Sequence, residues 1–144
     1  MNEQYLGNPN LKKANTTVEF TEEQIIEFVK CKEDPVYFAN NYIKIVSLDE
    51  GLTQFHPYHF QEKLINNFHA NRFNICKMPR QTGKSTTVIS YLLHYAVFND
   101  SVNIGILANK AATARELLSR LQTAYENLPK WMQQGIISLS LIHI

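Results

Sequence analysis

The chain has 144 residues, 44% hydrophobic and 19% charged, with a formal net charge of +1; this is the composition of an ordinary globular domain and excludes a disordered tail or a collagen-like rod. A domain of this length buries roughly 68 to 70% of its unfolded surface, enough for one core and not two. The charge is uneven: six basic and ten acidic side chains give residues 1–70 a charge of −4, whereas eight and three give residues 71–144 a charge of +5, which suits an anionic ligand on the second half.

Residues 1–20 are polar, contain Gly7 and Pro9 and carry no sustained period, so they read as a flexible N-terminal arm. They lack the apolar core of a signal peptide, and no apolar run nears the ~18 residues of a membrane span, so neither export nor membrane insertion is expected. Thr21-Glu22-Glu23-Gln24 is a capping box leading into Ile25, Ile26, Phe28 and Val29, which predicts a helix over about 21–33 that stops before Pro35. Residues 36–48 hold a short helix and then a strand-like segment, Asp49-Glu50-Gly51 is a turn, and residues 21–54 together form a helical N-terminal segment.

Pro57 fits the first position of a helix that carries Phe60, Leu64, Ile65 and Phe68 on one face and ends near Asn71. The pattern then changes. Phe73 to Met78 reads as a short strand, Pro79 to Gly83 as a loop, and Lys84 to Phe98 as a helix with Val88, Ile89, Leu92, Leu93 and Ala96 on its apolar stripe. After a turn at Asn99-Asp100-Ser101, Val102 to Ala108 reads as a buried parallel strand, and a helix over about 110–128 carries Leu117, Leu118, Leu121, Tyr125 and Leu128. Strand, loop, helix, strand, helix is the opening of an α/β parallel sheet, a fold that binds ligands at the carboxyl ends of its strands.

The loop itself carries chemistry. Gly83-Lys84-Ser85 is the latter part of a phosphate-binding loop: glycine lets the backbone approach an anion, lysine places a charge between β- and γ-phosphates, and serine offers a hydroxyl to Mg2+. The following helix adds its N-terminal N–H groups. The usual pattern G-x-x-x-x-G-K-[ST] has glycine where this chain has Met78, followed by Pro79.

Pro79-Arg80-Gln81-Thr82-Gly83-Lys84-Ser85 resembles the variant Walker A motif of tailed-phage terminase large subunits, the DNA-packaging ATPases, in which Arg-Gln replaces glycine-rich residues. The likeness continues through His94 to Asn99, Gly105 to Lys110 and Leu128 to Ile136, looks like the T-even branch, and covers about residues 35–136. The resemblance implies a P-loop NTPase fold of the ASCE or RecA-like type, with residues 55–137 as the N-terminal part of the ATPase domain. It implies ATP and Mg2+ as cofactors, with Gln81, Thr82, Gly83, Lys84, Ser85 and Thr86 around the phosphates and Ser85 on the metal. Arg80 then resembles an arginine finger supplied in cis, an effect worth ~10³ to 10⁵ in rate in other NTPases; its plain alternative is a surface charge.

Gln61, in Phe55-His56-Pro57-Tyr58-His59-Phe60-Gln61, resembles the adenine-recognising glutamine of such enzymes, with Tyr58 or Phe55 available to stack on the ring; its plain alternative is a solvated helix residue. The family also implies an endonuclease in the parent protein, with double-stranded viral DNA, portal protein and terminase small subunit as partners of an oligomeric motor in the host cytoplasm, away from membranes.

Such an ATPase needs an apolar strand ending in Asp-Glu. Asp49-Glu50 mimics it but precedes the loop and runs into Gly51, and Asp100 follows the loop's own helix, so both read as turns. No acidic residue follows Glu126, and residues 138–144 depart from the family pattern, which suggests a truncated reading frame with a foreign tail, a native terminal strand being the alternative, and a fragment that turns over little ATP by itself. Cys31 and Cys76, without a His/Cys cluster, point to a reducing compartment; the five histidines (His56, His59, His69, His94, His143) share no metal-ligand spacing. Two other readings stand beside this one: a helicase-like ATPase of the same broad class, and a non-catalytic module whose helices 21–33 and 57–71 dock on a partner.

Overall fold

The computed structural model describes residues 4, 5, 7–13, 15–47 and 51–133. Its elements run β1 (Gln4–Tyr5), β2 (Asn8–Lys12), α1 (Glu22–Glu33), α2 (Pro35–Tyr42), β3 (Lys44–Ser47), β4 (Gly51–Gln54), α3 (His59–Ala70), α4 (Lys84–Phe98) and α5 (Ala111–Glu126). The start of α1 follows its capping box: Thr21 Oγ1 accepts from Gln24 N–H at 3.3 Å, and Gln24 Oε1 accepts from Thr21 N–H at 3.1 Å. Asp34 ends that helix and begins the next, its Oδ1 accepting from the N–H groups of Val36 and Tyr37, both at 2.9 Å.

β3 and β4 form an antiparallel hairpin with Lys44 opposite Gln54 and Ser47 opposite Gly51; the turn expected at Asp49-Glu50 lies outside the described residues. Gln54 ties the hairpin to α2, its Nε2 donating to the carbonyls of Asn40 at 3.0 Å and Ile43 at 2.9 Å. α4 lies at the centre of the helices and packs on α2, α3 and α5. Its inner face, Ile89, Leu93, Val97 and Phe98, joins Cys31, Phe38, Ile43, Ile65, Ala124 and Met132 in the buried apolar interior. Among the described residues no helix is long and apolar enough to cross a membrane.

Three features differ from the expectation. Part of the N-terminal arm is a hairpin, β1 against β2, and the reason is the buried Gln133: its Oε1 accepts from Lys12 N–H at 3.1 Å and its Nε2 donates to Asn10 carbonyl at 2.9 Å and Leu128 carbonyl at 3.1 Å. One side chain thus does for β2 what a neighbouring strand does in a sheet. α3 starts at His59 and not Pro57, because the Tyr58 N–H is taken by Gln61 and makes Tyr58 the N-cap.

Finally, residues 73–78 and 102–108 are neither helix nor strand, and among the described residues both sheets are two-stranded and antiparallel. A strand exists through its neighbour's hydrogen bonds, and these two segments have no ladder partner there. Phe73, Ile75 and Leu107 stand almost fully exposed, while Val102, Ile104 and Ile106 alternate as half-buried positions. The tail at 138–144 lies outside the described residues.

Behind α4, Glu27 Oε1 accepts from the hydroxyls of Tyr37 and Tyr42, both at 2.9 Å, and burial pushes the nearby Cys31 thiol up to about 12, so it stays protonated and unreactive. His94, 2% exposed, sits among the rings of Phe38, Phe98, Tyr91 and His69. Its Nε2 lies 2.9 Å from the Cys31 carbonyl, which can only accept, so Nε2 carries the proton and Nδ1 is a buried lone pair without a partner. Burial therefore holds the imidazole below its ordinary value of 6.5.

Because the folded chain keeps His94 neutral where the unfolded chain takes a proton, stability should be full above about pH 6.5 and decline below it, with a slope approaching ~1.4 kcal/mol per pH unit from this residue. Urea unfolding from pH 7.5 to 5 checks this. His94→Phe should flatten the dependence, and an unchanged slope in that variant would contradict the assignment.

Candidate functional site

The site is built from the loop that leads into α4. Gly83 is the N-cap of that helix with φ +69°, ψ 19°, the left-handed conformation that glycine adopts without cost, and Gln81 also has positive φ, +60°. Two left-handed residues within three positions curl the chain tightly around the start of the helix. Thr87 closes the first turn, its N–H and Oγ1 both donating to Gly83 carbonyl at 3.0 Å. The N–H groups of Lys84, Ser85 and Thr86 come before that bond and have no acceptor within the helix, so the turn presents donors and the positive end of the helix dipole.

The side chains divide by role. Lys84 is half-buried and folds back on the loop, its Nζ donating to Met78 carbonyl at 3.1 Å and to Pro79 carbonyl. Thr82 Oγ1 donates to the same Pro79 carbonyl at 3.0 Å, so Pro79 is the point on which the loop closes. Arg80, Gln81 and Ser85 are exposed, and Thr86 is half-buried. A cavity of about 160 Å³ opens beneath the loop between α4 and α5, lined by Lys84, Ser85, Val88, Ile89, Ile106 and Leu117. Its aliphatic walls suit packing and not a triphosphate; the polar donors lie at its mouth.

The sequence also places Gln61, Tyr58 and Phe55 at this site. Gln61 reaches the loop: Nε2 donates to Thr82 carbonyl at 3.3 Å while Oε1 holds the Tyr58 N–H at 2.8 Å. Tyr58 is 70% exposed and stacks on Phe60, with ring centroids 5.8 Å apart, whereas Phe55 is buried in the interior. Of the two aromatic residues expected to offer a stacking face, only Tyr58 has one open to solvent. Pro79, whose carbonyl gathers Lys84 and Thr82, is the participant that sequence reasoning passed over; a backbone acceptor leaves no mark in side-chain chemistry.

As a site for Mg2+ and a nucleotide, the donor set fits in part on its own. Lysine and helix N–H groups match phosphate oxygens, and the Ser85 hydroxyl offers one metal ligand. Among the described residues no three His, Cys, Asp or Glu side chains come together as a metal-binding group, so Ser85 and phosphate oxygens are the ligands at hand. No family model matches this chain.

A Cβ at Gly83 would meet two obstacles, the positive φ and Gln61 Nε2 only 2.5 Å away. Gly83→Ala is therefore expected to destabilise the fold by about 1–2 kcal/mol in denaturant unfolding. Unaltered stability would show that the loop does not hold this conformation.

Proposed function

We propose that this chain is the nucleotide-binding part of an ATPase of the DNA-packaging terminase large-subunit type, with a P-loop α/β fold. The observation that carries the reading is left-handed Gly83 turning the loop into α4, with Lys84 and Ser85 in the helix's first turn. The proposed role of each group follows from its chemistry. Lys84 exchanges its carbonyl acceptors for β- and γ-phosphate oxygens, a gain because a charge-assisted bond to an anion is stronger than one to a neutral carbonyl.

The N–H groups of Gln81 to Thr86 bind the remaining phosphate oxygens, and the Ser85 hydroxyl ligates Mg2+. When bound, Mg2+ offsets the negative charge that builds on the phosphates. Arg80, exposed beside the loop, supplies a guanidinium to the γ-phosphate in the same chain. Double-stranded viral DNA, portal protein, terminase small subunit, an oligomeric motor and a host-cytoplasmic site belong to this proposal through the resemblance of residues 79–85 and the blocks that follow.

Titration with a fluorescent ATP analogue tests it. Lys84→Ala should weaken binding roughly 10- to 100-fold, the value of one charge-assisted contact. Ser85→Ala should leave binding in EDTA unchanged and lose the gain that Mg2+ brings to the parent chain. Equal affinity of parent and Lys84→Ala would overturn the nucleotide reading.

A further inference from the structure

Gln61 is 3% exposed although it lies in the first turn of a surface helix, and both ends of its amide are engaged within the chain. Oε1 accepts the Tyr58 N–H at 2.8 Å, which completes the cap of α3, and Nε2 donates to the Thr82 carbonyl at 3.3 Å. The side chain also reaches Gly83, where an added Cβ would stand 2.5 Å from Nε2. A base edge can reach this amide only after the loop lets it go. What the amide governs, as it stands, is the loop.

Its effect follows from peptide geometry. The Thr82–Gly83 peptide is trans, so its carbonyl and its N–H point in opposite directions. Holding Thr82 C=O towards buried Gln61 turns Gly83 N–H away from Gln61. Gly83, at φ +69°, is the residue on which this peptide turns into α4.

We propose that Gln61 is a positioning residue of the phosphate loop: it locks the Thr82–Gly83 peptide against the N-terminus of α3, so that the Gly83 N–H is aimed at the anion before the ligand arrives. The proposal rests on the phosphate-binding reading of the loop and makes Gln61 act on the phosphate chain whatever base is attached.

Two measurements on the full chain test it. Gln61→Leu should lose affinity for ATP, GTP and inorganic tripolyphosphate by one common factor, roughly three- to tenfold, the effect of one neutral hydrogen bond. Unchanged tripolyphosphate affinity with loss only of a preference for ATP over GTP would overturn it in favour of a base-reading role. Gln61→Glu keeps an acceptor for the Tyr58 N–H but has no donor for Thr82, so the α3 cap survives. Without ligand, its Thr87 amide, bonded to the Gly83 carbonyl at 3.0 Å, should exchange with deuterium several-fold faster while those of α3 are unaffected, and unaltered Thr87 exchange would overturn the proposal. If the parent chain binds none of the three probes, the phosphate reading falls, whereas the exchange measurement still judges whether Gln61 sets the loop.

Discussion

α4 buries Ile89, Leu93, Val97 and Phe98 against α2, α3 and α5, and that burial determines where its first turn emerges. Each such side chain contributes about 1.5–3 kcal/mol, so shifting the helix by a turn to accommodate a ligand would cost more than any single contact at the loop returns. The N-terminus is in effect a fixed point. The loop hung from it has its other supports in Pro79, on which Lys84 and Thr82 converge, and in Gln61, which reaches across from α3. A site anchored on both sides presents its donors in one arrangement, which is the condition for binding an anion without a large ordering cost.

The rest of the molecule relies on polar side chains that join elements distant along the chain. Glu27 gathers two tyrosine hydroxyls, Gln54 caps the end of α2 from β4, Gln61 links α3 to the loop, and Gln133 pairs with the backbone of β2. With ladders of only two strands, the described residues cannot satisfy their backbone groups through a broad sheet, and the three glutamine amides take that part, while the Glu27 carboxylate satisfies side-chain hydroxyls. His94 belongs to the same set, with one difference: its second nitrogen has no partner, and the fold tolerates this only while the ring is neutral.

What the sequence made legible was local. The α1 capping box, the period of α4 and the stripe of α5 are patterns within one turn or one helix, and α1, α4 and α5 lie within two residues of where those patterns put them. The β1–β2 hairpin was hidden because its partner is a side chain more than a hundred positions away. Phe73 to Met78 and Val102 to Ala108 have strand composition, but composition cannot supply the neighbour that makes a strand. At the loop, Gly83-Lys84-Ser85 was plain to read, since each residue type has a distinct use beside a phosphate. Gln61 reads in the sequence as an adenine contact or a solvated helix residue, whereas its engagement with Tyr58 and Thr82 depends on where α3 begins, which Pro57 misplaced by two residues.

The central proposal is that the start of α4 binds the phosphates of a nucleotide. The most direct measurement is a titration of the 15N-labelled chain with Mg·ATP followed through its backbone amides. The account predicts that Gly83, Lys84, Ser85 and Thr86 shift first and furthest, in a saturable way, while α1 and the β3–β4 hairpin stay in place. Amides at 83–86 that remain still at millimolar Mg·ATP, or shifts centred on α1, would contradict it.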